Sequence, residues 1–197
     1  MAPSIALGGG GGVTIEENLA QQLTVIFHEP LFRVFIDVRK AYDSVDRERC
    51  MEILRGYGLR SKLQMLLQWY WDAHKVVPKY GKFFGRPFHM DRGVKQGDLV
   101  SPTIFNIVVV AVVRTVLLEV CGPQEAHHGF GWSAGEHNIC FYVDDGKIVG
   151  HNTIWIHMTL SAMVRMFDMV GLHPNLENTK AMVCTPGFIW GQHGAAA

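Results

Sequence analysis

The stretch Phe141-Tyr142-Val143-Asp144-Asp145-Gly146 constrains this chain more than any other. An apolar run from Ile139 to Val143 delivers two adjacent acids, and a second apolar pair, Ile148-Val149, follows at once. The pattern predicts a β-hairpin whose tight turn carries Asp144, Asp145 and Gly146. Neighbouring side chains on a strand point to opposite faces, but at a turn both carboxylates can reach one spot. Two carboxylates that close repel each other unless a cation lies between them. An ordinary solvated Asp-Asp-Gly turn has the same local pattern. The rest of the chain decides between the two.

With 197 residues, 48% of them hydrophobic, the chain is long enough for one domain with a true core. Eighteen basic residues balance eighteen acidic ones, so any electrostatic footprint for nucleic acid must be local. Cys50, Cys121, Cys140 and Cys184 form no C-x-x-C pair, and the first residues lack a secretory pattern, so an intracellular, reducing compartment is expected. The run Ile104–Val120 looks membrane-like, but Asn106 and Arg114 interrupt it. Its unbroken part, Ile107–Val113, falls well short of the ~20 residues of a bilayer span. A buried core helix, with no membrane partner, is the expectation.

Residues 1–12 end in the glycines Gly8 to Gly12 and read as a flexible leader; residues 187–197 read as a featureless tail. Thr14 and Glu17 form a capping-box pattern before a helix from Ile15 to about Phe27, ended by Pro30. Leu31–Ile36 is a short strand that delivers Asp37 at its end, as Ile139–Val143 delivers its acids. Asp46 is placed to cap a helix over Arg47–Tyr57, which Gly58 closes. A helix over Ser61–His74 is expected to turn Leu63, Leu66, Leu67 and Tyr70 inward. After the Asp-Asp hairpin, the pattern predicts a helix over Thr153–Val170 capped by Gly171, then a strand over Ala181–Cys184. Hairpins mixed with packing helices predict an α+β fold rather than a doubly wound sheet.

The segment Lys75–Lys95 differs in character. Lys75, Lys79, Lys82, Arg86, Arg92 and Lys95 face a single acid, Asp91, and Tyr80, Phe83, Phe84 and Phe88 are interleaved with the bases. Gly81 and Gly85 suggest a β-meander. Bases alternating with aromatics suit a nucleic-acid backbone and its bases. An ordinary hairpin with a solvated basic face and an aromatic core face fits the same pattern. Cys121, His127, His128, His137 and Cys140 are close in sequence, but their spacing matches no common zinc pattern.

If the strands ending at Asp37 and at Asp144–Asp145 are neighbours, three carboxylates converge. Hard oxygen ligands suit Mg²⁺ or Mn²⁺, with substrate phosphates completing the shell. Two such ions can activate a hydroxyl and stabilise a leaving pyrophosphate, which is the chemistry of nucleotidyl transfer.

Four stretches then carry a specific resemblance. Phe-Ile-Asp-Val-Arg-Lys-Ala-Tyr-Asp-Ser-Val-Asp-Arg at 35–47 resembles motif A of reverse transcriptases. Gly-Val-Lys-Gln-Gly-Asp-Leu-Val-Ser-Pro-Thr-Ile-Phe-Asn at 93–106 resembles motif B, Phe-Tyr-Val-Asp-Asp at 141–145 motif C, and Gly-Leu-His-Pro-Asn-Leu-Glu-Asn-Thr-Lys at 171–180 motif D. The order is the family's, and the Lys-Ala-Tyr-Asp-Ser-Val-Asp-Arg string is similar to non-LTR retrotransposon and group II intron enzymes. The resemblance covers about Val13 to Pro186. It implies the palm of a right-hand polymerase, an antiparallel sheet with helices on one face, plus part of the fingers.

The resemblance also implies roles. Asp37, Asp144 and Asp145 would hold two Mg²⁺ ions, or Mn²⁺. Val38, Arg39, Lys40 and Ala41 would present backbone to the triphosphate. Tyr42 would exclude a ribose 2′-OH, and Gln96 and Gly97 would shape the floor for nucleotide and template. Lys180 would approach the pyrophosphate as a proton donor. Lys75, Lys79, Lys82 and Arg86 would face nucleic acid. The implied partners are an RNA template, a DNA primer and deoxynucleoside triphosphates. Tyr42 as a plain core aromatic and Lys180 as a solvated lysine remain the simpler alternatives.

Two departures stand out. Leu99 follows the motif B Asp where the family usually has Pro, and Asn178 stands where motif D usually has Lys, removing one charge near the site. The family's triphosphate-gripping fingers residues would precede Val13, and its thumb would follow Pro186. The expectation is therefore a palm with part of the fingers, cut from a longer polymerase, with weak cation binding and little processive synthesis by itself. The rival readings are an inactive remnant that still folds and binds RNA, an RNA-directed RNA polymerase, and an interaction protein with chance acids.

Overall fold

The computed structural model describes residues 30–122 and 137–184. The expected leader, the helix over Ile15–Phe27, the tail and His127 and His128 lie outside the described residues. The chain divides into two compact units. One holds the chain up to Asp37, Val116–Ala162 and the chain from Asn175; the other holds Val38–Thr115 and Met163–Pro174.

The first unit is organised by strand β1, Leu31–Arg39, whose first seven residues belong to it. Leu31, Arg33 and Val34 are all buried, and from Val34 onward burial alternates: Ile36 is buried, Phe35 is exposed and Asp37 half-buried. β6, His137–Tyr142, and β7, Asp145–Gly150, form the expected hairpin, and β7 pairs antiparallel with β1. On its other edge β1 pairs with β9, Lys180–Cys184. Leu31, Val149 and Cys184 form one buried cluster of this unit.

The hairpin turn is not where the sequence suggested. Tyr142 pairs with Asp145, so the two-residue connection is Val143–Asp144, and Asp145 and Gly146 already belong to β7. Val143 takes φ 58. A positive φ at the first central residue alone is the type II′ pattern, which normally takes glycine. A β-branched residue there is strained. Gly146 looked like the turn glycine, but its reason is different: a Cβ there would overlap the Phe141 ring that lies across it.

In the second unit β1 ends in Val38 and Arg39, which pair with a short strand, β8, His173–Pro174. Nothing in the polar Leu172–Lys180 pattern predicts β8. A one-turn helix α1, Ala41–Ser44, follows Lys40 at φ 47. Helix α2, Arg47–Gly56, has the expected cap: Asp46 accepts from the Glu48 and Arg49 amides. Helix α3, Ser61–Ala73, is oriented otherwise than expected. Leu63 and Leu66 are exposed, and Trp71 is the buried anchor.

Short paired strands follow α3: β2, Lys75–Val76, with β5, Phe88–His89, and β3, Lys79–Tyr80, with β4, Phe83–Phe84. The aromatics do not form a core face; Tyr80 is 88% and Phe83 79% exposed. Helix α4, Ser101–Cys121, is the predicted core helix, begun by Ser101-Pro102 as N-terminal proline chemistry allows. Among the described helices it alone is long and apolar enough to cross a membrane by length and composition. It buries one row, Phe105, Val108, Val112, Val113 and Val116, and 39% of its apolar window in all. Helix α5, Thr153–Met169, is capped at its start by Asn152, which accepts from the amides of Ile154 and Trp155. It ends in a Schellman motif, with Gly171 donating to Asp168 and Leu172 to Phe167. Gly171 at φ +77 fulfils the predicted cap.

Gly93 ties motif B to the turn after β1. It is buried at φ +81, and a Cβ would lie 2.7 Å from the Asp43 carbonyl and 2.8 Å from that of Tyr42. Its N–H donates to Val45, and the Val94 N–H to Tyr42. Gly97 shares φ +81 but has open space around it. Gly97→Ala should therefore cost about 1 kcal/mol of stability, and Gly93→Ala about 3 kcal/mol or more. Urea denaturation of the two variants checks the order; equal losses would show that the Gly93 contact yields.

Candidate nucleotidyl-transfer site

The acids come together through register. Asp37 and Asp145 are direct cross-strand partners, and Tyr142 is next along the same rung. Cross-strand partners share a face, with Cβ atoms about 5 Å apart. Asp144 occupies the turn immediately before Asp145. One rung back on the same face lie Lys180, Phe35, Lys147 and Cys140 in strand order. The alternate rung, with Val34, Ile36 and Ile148, is buried. The face that carries the acids is buried at its far end, where Leu31, Val149 and Cys184 lie, and opens toward the rungs of Phe35 and Asp37.

The acids feel one another. Asp145 is held above the usual carboxylate range by partial desolvation, then by the charges of Asp144 and Asp37. A folded-state pKa raised in a carboxylate makes ionisation a load on the fold. Stability is fullest below the unfolded pKa and falls as pH rises through the folded one.

Asp37 is also gripped from the β8–β9 side. Its Oδ2 accepts from Asn175 Nδ2 at 2.9 Å and from Asn178 Nδ2 at 2.8 Å, and its backbone carbonyl accepts from the Asn175 N–H at 2.7 Å. No sequence pattern assigns either asparagine to this acid. Asn178 was visible only as a departure from motif D. Among the described residues no three His, Cys, Asp or Glu side chains are gathered into a ready ligand set. Asp37 and Asp145 on one rung, with Asp144 in the adjoining turn, nevertheless fit a hard divalent cation by donor type, since Mg²⁺ takes only one or two carboxylates and completes its shell with water and phosphate.

The remaining residues named from the sequence divide between the units. In the first, Lys180 is exposed on β9, opposite Phe35. Cys121, considered for zinc, has its Sγ 3.3 Å from the Trp155 Nε1 that donates to it. In the second, Val38 and Ala41 are buried and Arg39 and Lys40 exposed. The Tyr42 ring is half-buried and stacks on Phe105, centroids 5.0 Å apart and planes 15° from parallel. Gln96 and Gly97 are exposed in the loop before α4. Asp98, not identified from the sequence, anchors that loop: its Oδ2 accepts from Tyr70 at 2.8 Å and Ser101 at 3.2 Å. The Tyr70 hydrogen bond is the main cause that lowers the Asp98 pKa. Lys75, Lys79, Lys82 and Arg86 are all exposed, with the Lys79 ammonium 5.6 Å from the Phe84 ring centroid.

The family model described as reverse transcriptase (RNA-dependent DNA polymerase) matches residues 27–193. A retrovirus-related Pol polyprotein from the type-1 retrotransposable element R2 of Nasonia vitripennis is 28% identical over 155 residues, 78% of this chain and 14% of that protein. The Pol polyprotein of the type-2 element R2DM of Drosophila melanogaster is 26% identical over 142 residues, 72% of this chain and 13% of that protein. The chain thus spans about one seventh of the length of these curated relatives. Among solved structures, telomerase from Candida tropicalis in complex with a fragment of telomeric RNA superposes with a TM-score of 0.61 at 13% identity, over 87% of this chain and 29% of that one. Apo telomerase of the same organism, truncated from its C-terminal domain, gives 0.60 at 15% identity, over 93% and 36%. That likeness establishes the fold: α+β, with the antiparallel sheet of a polymerase palm. With its family model matched from residue 27 to 193, the chain belongs to the reverse transcriptase family, as a segment similar to part of the R2 non-LTR retrotransposon Pol polyproteins.

Proposed function

We propose that this chain is the catalytic core of an RNA-directed DNA polymerase that elongates a DNA primer on an RNA template. The observation that carries the reading is the pairing of Asp37 with Asp145, beside Asp144 in a strained two-residue turn. Asp37, Asp144 and Asp145 would hold two Mg²⁺ ions, or Mn²⁺. Bound there, such ions would make the primer hydroxyl a better nucleophile and offset charge on the leaving pyrophosphate.

The chain's own residues do the rest. Pairing with β1 and the Phe141–Gly146 contact hold the hairpin, so the acids keep their places without reorganisation. The backbone of Val38 to Ala41 would run beside the triphosphate. Tyr42, backed by Phe105, would stand where a ribose 2′-OH must go and so favour deoxynucleotides. That support argues for DNA rather than RNA synthesis. Gln96 and Gly97 would form the floor under template and nucleotide, on a loop pinned through Asp98. Lys180 would protonate the departing pyrophosphate. The exposed bases and aromatics of β2–β5 would receive nucleic acid, stacking on bases and neutralising phosphates.

Four outcomes check this. Single-turnover incorporation on a primed RNA template should fall at least a hundredfold with Asp144→Asn, and unchanged incorporation would remove the acids from the site. Tyr42→Val should shift selection toward ribonucleotides, read as the ratio of kcat/KM for paired ribo- and deoxynucleotides. The metal-free chain should melt higher at pH 7 with Asp145→Asn, because a repelling charge is gone, while Mn²⁺ should raise its melting temperature less than it raises that of the parent. For the basic segment, reversing the charges of Lys79 and Lys82 should weaken RNA binding and lower the log–log salt slope by about 1 to 2. An unaltered slope would make it an ordinary surface.

A further inference from the structure

We propose that Asn175 and Asn178 are positioning residues for Asp37: their two amides clamp one carboxylate oxygen so that the other is presented to a divalent cation. The proposal rests on the reading of Asp37 as a cation-binding acid.

Both amide bonds fall on Oδ2, at 2.9 and 2.8 Å. Oδ1 is then the oxygen on offer. Two N–H donors on one oxygen fix the rotamer of the carboxylate. They do so without bringing a positive charge, which a lysine at 178 would set against the cation.

The orientation of Asn175 is informative. Its Oδ1 is buried with no hydrogen-bond partner. Buried acceptors are seldom left so, because the lost hydration is not replaced. Turning the amide over would set its oxygen against Asp37 Oδ2. The orphaned oxygen is therefore the cost of keeping Nδ2 on the acid.

The turn does not need these side chains to hold its shape. Asn175 N–H already donates to the Asp37 carbonyl, and the Asn175 carbonyl accepts from the N–H of Asn178, at 3.1 Å, and from the N–H and Oγ1 of Thr179, both at 2.9 Å. Removing the Asn178 amide thus loosens the carboxylate and leaves the main chain tied. Asn178 is exposed, so its truncation opens no cavity.

The test is Mn²⁺ binding to the full chain, read from the electron paramagnetic resonance signal of free aquo-Mn²⁺, with far-ultraviolet circular dichroism on each variant. Asn178→Ala should weaken binding about tenfold, Asn175→Ala/Asn178→Ala further, and Asn178→Gln should recover part of the loss. Parent-like affinity in both alanine variants, alongside a loss in Asp37→Asn, would overturn the clamp and leave the cation site standing. Parent-like affinity in Asp37→Asn, or a parent that binds no Mn²⁺, would overturn the cation reading and the clamp with it. A dichroism spectrum lost in Asn178→Ala and not recovered in Asn178→Gln would make the role structural and overturn the proposal.

Discussion

The antiparallel pairing of β1 with β7 is the constraint on which the site depends. Six consecutive pairs, from Phe32 with Gly150 to Asp37 with Asp145, set which residues share a face. Because the side-chain period of a strand is two, a slip of one residue would exchange the faces. Asp37 would turn toward the apolar side and Ile36 toward the acids. The buried residues Val34, Ile36 and Ile148 resist that slip. The hydrophobic core therefore sets the place of the acids through register, without touching them.

Strain is concentrated where the chemistry is expected. Among the described residues only Lys40 and Val143 have positive φ without being glycine. One follows β1 by a single residue and the other opens the turn that carries Asp144. Such backbone persists only where its surroundings over-determine it. For Val143 those surroundings are the β6–β7 ladder and the aromatic ring lying across Gly146.

The sequence made the acids, the capped helices and the core helix legible, each through a local signal. Asp46 and Gly171 sit at helix ends where short-range hydrogen bonds decide the structure. The turn was placed one residue late because Asp-Asp-Gly imitates turn chemistry, while the true turn uses a valine that no propensity favours there. The face of α3 was misjudged because its leucines repeat with helical spacing, yet the residue that is buried is Trp71. Asn175 and Asn178 were not legible as partners of Asp37. They lie 138 and 141 residues from it, and only the pairing of β1 with its edge strands brings them back.

That edge has a property of its own. β8 and β9 both pair antiparallel with β1, and the five residues Asn175–Thr179 lie between the two pairings. The loop length therefore counts residues as well as joining strands. Deleting one of the five would not merely shorten a turn. If β9 kept its place along β1, every side chain on it would change sides: Lys180 would leave the outer rung it shares with Phe35, and Ala181 would take its place. Substitutions in this loop act on one acid at a time, whereas a change of length by an odd number acts on the whole strand.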